Sequence, residues 1–384
     1  MRILLFGEFS GLFNCLKEGL VALGHEVYLV SDGNGFKNYP SDFRYDIKIP
    51  QCLRKLSTPI NFLNLWLHKK RLQGFDVVFF VDPSFVSRHT KWNAPLYRYM
   101  IKHNKTSYLC GSGDTALMVH YWINSKEKYK YYVQGIINGA KKNNYSVLLY
   151  PNKKLEKWEN ELLHIIDGYI PIWYEYAQPF RQYKCIKKTI RIPIPIQKYK
   201  YTPNIVKDKI VFFHGVPTRE EAKGTPIIRE AFRIMEKKYG DEAEFICAGG
   251  LPFDEYMQLI SRVNVILDDA NSYSIAMNGL LSMAKGKIVM GGAESEGNKE
   301  LGIDGVNPVF NLTRDVTQIC NQIEYIILHK DKIEEWGRSS RIFVEKYHDS
   351  EMIAQQYINV FQKGLDCKNC NQLFYDKHQS NSFS

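Results

Sequence analysis

Short apolar runs alternate with amphipathic stretches along almost the whole chain. Arg2–Gly7, His25–Val30, Phe75–Val81 (FDVVFFV), Thr106–Cys110 and Gly168–Ile172 read as buried strands. Between them, Leu12–Leu23 (closed by Gly24), 84–103, 152–165 and a stretch near 174–183 carry helical periodicity. A second series begins after Lys209. Ile210–Phe213, Glu244–Ala248, Val263–Leu267, Lys287–Gly292 and Pro308–Asn311 read as strands. Thr225–Tyr239, 254–262, a segment after Ser274, 315–329, 331–346 and 350–364 read as helices. Strict alternation of this kind implies parallel sheets with right-handed crossovers.

The rhythm breaks at two places. Arg191-Ile192-Pro193-Ile194-Pro195-Ile196 alternates proline with isoleucine, which suits neither a helix nor a central strand. With the polar residues 197–208 after it, this marks an interdomain linker. The expected organisation is an α/β chain of two doubly wound, Rossmann-like domains, 1–196 and 197–365. The last helix, 350–364, packs back on the first domain, and a polar, disordered tail follows at 366–384. The second break is 115–150, where Tyr121, Trp122, Tyr129, Tyr131 and Tyr132 mix with Lys126, Lys128, Lys130, Lys141 and Lys142. Such a mixture suits a membrane–water interface or an acceptor lid, and equally a solvated helical insertion.

Composition adds bounds. The 384 residues are 45% hydrophobic, enough for two cores. Eight cysteines are scattered, as in a reduced, cytoplasmic protein. Cys367-x-x-Cys370 is half a zinc site with no second pair, so no metal is expected. The apolar start, MRILLF, is too short for a signal peptide, and no run approaches a membrane span. The formal net charge of +10 fits anionic small ligands, an anionic membrane surface or a simple Lys-rich bias. No helix-turn-helix, zinc-finger or RNP-type signature points to nucleic acid.

The segment Val263–Gly292 carries the most chemistry. A buried strand leads through Ser272-Tyr273-Ser274 into a helix with Met277, Leu280, Leu281 and Ala284 on one face. Free backbone N–H groups at that start, with Ser274 and Ile275 the candidates, would hold an anion such as a diphosphate. The alternative is one more βαβ unit with no ligand. After the first strand of the second series come His214-Gly215-Val216-Pro217-Thr218-Arg219 and then Lys223-Gly224-Thr225. Arg219 offers a planar fork and Lys223 a compact charge for phosphate oxygens. The alternative is two solvated cations beside Glu220 and Glu221.

In the first half, Gly7-Glu8-Phe9-Ser10-Gly11 joins a strand to a helix, with glycines that permit a close backbone approach. Its spacing is not that of the dinucleotide fingerprint. Asp114, after Gly111-Ser112-Gly113, is a candidate base or acceptor ligand, or a helix cap.

Ser282-Met283-Ala284-Lys285-Gly286-Lys287-Ile288-Val289 resembles the "AMA-x-G-x-P-V-V" half of a motif of bacterial GT-B glycosyltransferases near the retaining family 4. Arg219 and Lys223-Gly224 resemble that family's "R…K-G" element, which grips the donor diphosphate. The resemblance spans roughly residues 1 to 365 and is strongest in the second half. It implies a donor site on the second domain and an acceptor-side loop at Glu8, Ser10 and Gly11. The family's two motif glutamates, which contact the donor sugar and the ribose, fall here on Tyr273 and Leu281. Tyr273, Asn278, Glu294 and Glu296 are therefore the candidates for the sugar and ribose contacts.

What the resemblance implies is a metal-independent, hexosyltransferase-like enzyme with no cofactor. It would move a sugar from a nucleotide-diphosphate sugar to a glycan or lipid-linked acceptor in capsule, lipopolysaccharide or exopolysaccharide synthesis, peripherally at the inner face of the membrane. The rivals are a non-catalytic sugar-nucleotide or glycan-binding relative and a UDP-sugar epimerase.

Overall fold

The long apolar runs cannot face water on either side, so each becomes a strand covered on both faces. In the computed structural model Ile3–Phe6 and Val77–Val81 are wholly buried. The structure describes residues 1–35, 38–87, 89–130, 133, 149–150, 152–217, 220–250 and 253–380.

Six parallel strands form the first sheet: β1 (Arg2–Phe6), β2 (Glu26–Ser31), β3 (Phe43–Arg44), β4 (Val77–Phe80), β5 (Thr106–Gly111) and β6 (Gly168–Pro171). Their order is β3-β2-β1-β4-β5-β6, so the winding reverses between β1 and β4. Five parallel strands form the second: β7 (Ile210–Gly215), β8 (Ala243–Ala248), β9 (Val265–Leu267), β10 (Ile288–Gly291) and β11 (Phe310–Asn311), in the order β11-β10-β9-β7-β8. Here the reversal lies between β7 and β9. Open α/β sheets hold ligands at such reversals, beyond the carboxyl ends of the strands.

Among the elements that escape the sequence pattern are β3, the helix Ser57–Leu67 and the helix Ala116–Asn124. The helix Ser57–Leu67 has leucines on its exposed edge as well as its buried one, which blurs its period. Ala116–Asn124 gives the start of the 115–150 segment a packed role, with Trp122 buried and its indole N–H donating to the Glu175 carbonyl at 3.2 Å.

Between the sheets, Ile190, Ile192, Ile194 and Ile196 are all buried. Ile194 exchanges backbone bonds with His348 (2.7 Å) and Ser350 (3.0 Å), where the chain crosses back. The last helix then packs on the first sheet, with Tyr357 and Phe361 rings 5.4 and 5.6 Å from Phe79. That helix runs Ser350–Ser380. No proline and no glycine follows Gly364 to stop it.

Candidate functional site

Two groups of side chains collect at the carboxyl ends of the strands, one in each half. In the second half, the turn after β7 ends in the short helix Glu220–Lys223 and then Gly224. Gly224 has φ 72°, a left-handed value open to glycine, and caps the helix Thr225–Tyr239. That turn aims Lys223 at the loop after β9. Its ammonium lies 2.6 Å from Asp268 Oδ1. Asp268 is fully buried, whereas the Lys223 side chain keeps 19% exposure, and its ammonium also lies 3.4 Å from the Asp268 carbonyl.

The other oxygen of Asp268 accepts the Ala276 N–H at 2.8 Å. Ala276 caps the helix Met277–Ala284. A carboxylate of the chain itself therefore occupies the positive end of this helix, as its dipole and unpaired N–H groups favour. Burial works against ionisation of Asp268, but Lys223 outweighs it and holds the carboxyl below its usual range. Burial likewise opposes the Lys223 ammonium, and Asp268 and Asp269 together overcome it. Asp269 differs. Burial pushes its carboxyl well up, and one of its oxygens has no partner among the described residues. Behind Lys223, His214 is buried between the Leu267 carbonyl and Thr225 Oγ1, both at 2.8 Å. Burial lowers its pKa to about 4, so it is a neutral structural bridge.

The loop Ser272–Ala276 is enclosed from the other half. Glu175, buried on the short helix Tyr174–Ala177, accepts the Tyr273 N–H at 2.6 Å and draws on the Ser274 N–H. Burial raises its carboxyl to about 7, and its second oxygen has no partner among the described residues. The Tyr273 hydroxyl donates to Glu127 at 3.0 Å. The Tyr129 and Tyr174 rings lie 5.2 and 4.6 Å from the Tyr273 ring. Glu294 accepts from Lys128 (2.8 Å), Tyr129 (2.6 Å) and Asn311 (3.0 Å). The described start of the 115–150 segment is therefore turned toward the loops of the second half.

In the first half, a cavity of about 390 Å³ opens at the reversal between β1 and β4. Phe9 from the β1 loop, Asp32 and Asn34 from the β2 loop, and Asp82, Ser84 and Phe85 from the β4 loop line it, and Thr58 reaches it from a helix. Ser84 N–H donates to Asp82 Oδ1 at 2.6 Å, which fixes that turn. Burial raises the Asp32 carboxyl. Glu8 sits beneath the loop rather than in the cavity. It is wholly buried and accepts from the Asn14 N–H (2.8 Å) and side-chain amide (2.6 Å) at the start of the helix Leu12–Ala22. Burial pushes its carboxyl up.

Of the residues singled out from sequence, Lys223, Ser274, Ile275, Tyr273 and Asn278 come together around β7, β9 and the helix Met277–Ala284. Ser274 Oγ is buried without a partner among the described residues. Ile275 packs its side chain against Gly291. Asn278 is half-buried beside Gly215. Glu296 is exposed and accepts from Ser295 Oγ at 2.9 Å. Gly11 caps the helix Leu12–Ala22 at φ 86°, and Ser10 beside it has φ 54°. Asp114 is buried just before the N-cap Thr115, and the cavity lining does not include it. Arg219 lies outside the described residues. Asp268, Glu175, Asp32 and Asp82 were missed. Two aspartates directly after a buried strand were the available signal for Asp268. Glu175 had none, because its partner loop is 98 residues away in sequence.

Solved structures share this two-domain architecture. Sucrose-phosphate synthase from Thermosynechococcus elongatus superposes with a TM-score of 0.62 at 13% identity, over 94% of this chain and 99% of that one. Anabaena HepE, solved in complex with UDP and glucose, gives 0.58 at 15% identity, over 94% and 99%. A glycosyltransferase from Rickettsia africae ESF-5 gives 0.53 at 13% identity, over 95% and 98%. No protein-family model and no curated protein sequence matches the chain. The structural likeness establishes the GT-B fold over nearly the whole length.

Proposed function

We propose that this GT-B chain is a glycosyltransferase that takes a sugar from a nucleotide-diphosphate sugar bound on its second half. The observation that carries the reading is the Lys223–Asp268–Ala276 arrangement at the β7/β9 reversal. It joins a lysine whose side chain is partly exposed to a helix start that already holds an anion. The GT-B structure of HepE with UDP and glucose supports a uridine nucleotide as the first donor to try.

Departure of a nucleoside diphosphate leaves charge building on its β-phosphate, and a fixed cation there lowers the barrier. Lys223 has three N–H donors. Asp268 takes one and sets the position of the ammonium, and a phosphate oxygen takes another from the exposed side. Arg219 supplies the second cation. The diphosphate replaces Glu175 at the Tyr273 and Ser274 N–H groups, and Asn278 and Glu296 lie on its sugar side. No metal is required in this scheme, so turnover persists in EDTA. The resemblance to family 4 makes retention of anomeric configuration part of the proposal.

The cavity over Asp32 and Asp82 takes the acceptor. Carboxylates accept from sugar hydroxyls, and Phe9 and Phe85 offer flat apolar surface. A glycan or lipid-linked acceptor for surface polysaccharide, met at a membrane face, fits such a site. A thermal-shift screen of UDP-, GDP- and ADP-sugars tests the donor half. A ligand at 100 times its Kd adds about 2.7 kcal/mol, and no shift with any of the three would defeat the reading.

A further inference from the structure

From Ile47 to Phe75 the chain contains no Asp or Glu, yet it holds Lys48, Arg54, Lys55, Lys69, Lys70 and Arg71. The helix Ser57–Leu67 lies in the middle of this stretch. It buries Leu65 and leans Phe62 and Trp66 on the core. Its opposite edge is apolar too. Leu56, Leu63 and Leu67 recur at i, i+7 and i+11, which is one face, and are 49%, 54% and 70% exposed. Ile47, 46% exposed, is held alongside by its N–H, which donates to Asn61 Oδ1 at 3.0 Å. Cations flank this patch. Lys48, Lys55 and Lys70 are exposed, the Lys69 ammonium lies 4.2 Å over the Trp66 ring, and the Arg71 guanidinium lies 5.3 Å from the Phe43 ring.

Large aliphatic groups left in water are costly, and a patch of them marks a contact surface. Apart from Asp46, which Arg44 pairs at 2.6 Å, its flanks are all basic. An apolar stripe with such flanks matches an anionic bilayer in both respects, with leucines entering the headgroup boundary and cations meeting phosphates. We propose that the helix Ser57–Leu67 and its basic flanks dock the first half of the molecule onto an anionic membrane surface. Thr58, on the same helix, lines the 390 Å³ cavity. Thr58 shares the inner face with Leu65, so docking sets the cavity behind the helix, about 10 Å from the lipid boundary at which a lipid-linked acceptor would be presented. That consequence rests on the acceptor role proposed above, whereas the docking itself does not.

The test is sedimentation of the full chain with vesicles. One set holds phosphatidylglycerol and phosphatidylethanolamine in equal parts, and the other phosphatidylcholine alone. The wild type should bind the anionic set, lose it as salt rises, and leave the neutral set. Leu63→Gln with Leu67→Gln should weaken binding by about tenfold or more. Both positions are exposed, so Tm should hold. Lys55→Gln and Lys70→Gln should each cost about fivefold. Equal binding to both vesicle sets, no binding by the wild type, or unchanged binding by the leucine variant overturns the proposal. So does a wild-type dimer in light scattering that the leucine variant dissolves, because a second copy would then cover the patch. The UDP-sugar thermal shift, measured without vesicles, reads the donor site separately. Its failure would count against glycosyl transfer and leave the docking result standing.

Discussion

The starts of two helices, one in each half, meet the same physical demand and answer it differently. At Leu12–Ala22 the unpaired N–H groups turn to Glu8, and at Met277–Ala284 to Asp268. Both acids are wholly buried. Glu8 has the amides of Asn14 and the nearby backbone of Gly11 and Phe13 but no cation among the described residues, and burial pushes its carboxyl up. Asp268 has Lys223 and stays ionised. The difference lies in the cation. At Met277–Ala284 the lysine balances the acid that caps the helix, and the proposed diphosphate site is built beside that pair. A helix end closed by its own buried acid with no cation beside it, beneath a cavity lined by Asp32 and Asp82, is the half we propose for an uncharged, hydroxyl-rich molecule.

Breaking the charged end should have the largest effect. Asp268→Asn keeps an oxygen for the Ala276 N–H but strips Lys223 of its counter-charge. It should cost about 3 kcal/mol in urea unfolding, the low end for a broken buried pair because Lys223 retains some exposure. Glu8→Gln, with no cation to strand, should cost markedly less. Equal losses would erase the contrast.

The cations come next. Arg219→Ala and Lys223→Ala should each reduce donor kcat/KM by about tenfold or more, as charge-assisted phosphate bonds contribute about 1.5–3 kcal/mol. Arg219→Ala should leave Tm unchanged, whereas Lys223→Ala strands the buried Asp268 carboxylate and should also cost about 3 kcal/mol, so its kinetics are read on protein shown to be folded. Unchanged kcat/KM in both would remove the phosphate role.

The contact between the halves sharpens the comparison through pH. The Glu175 carboxyl rises from its ordinary 4.5 to about 7 by burial, so the folded chain prefers it protonated. Its contribution to stability is complete below about pH 4.5 and is lost as pH climbs through about 7. Glu175→Gln should flatten that window by about 1–2 kcal/mol in unfolding free energy. An identical pH profile in the variant would show that the Glu175 proton is not the cause. The smallest effect is expected at Lys128→Gln. Its exposed ion pair with Glu294 is worth less than about 1 kcal/mol.

The same contrast explains what could be read from the sequence. Both sheets announce themselves, because strands such as Val77–Phe80 are apolar on both faces and their connections wind the chain one way. Lys223 and the Ser272–Ala276 loop were legible because a strand end, a glycine and a helix start sit together in sequence. Asp268 was visible as a residue but not as the counter-ion of Lys223, which lies 45 residues earlier. Glu175, Glu127 and Lys128 act across the boundary between the halves, where pairing depends on how two domains meet. The helix Ser57–Leu67 was lost because its exposed edge is as apolar as its buried one.

The most direct measurement is calorimetric titration of UDP and UDP-glucose into the wild type, Lys223→Met and Asp82→Asn. The glycosyl-transfer reading predicts binding to the wild type, a loss of about tenfold or more in Lys223→Met, and no change in Asp82→Asn. Equal binding by Lys223→Met, or a loss confined to Asp82→Asn, would place the nucleotide in the other half and contradict it.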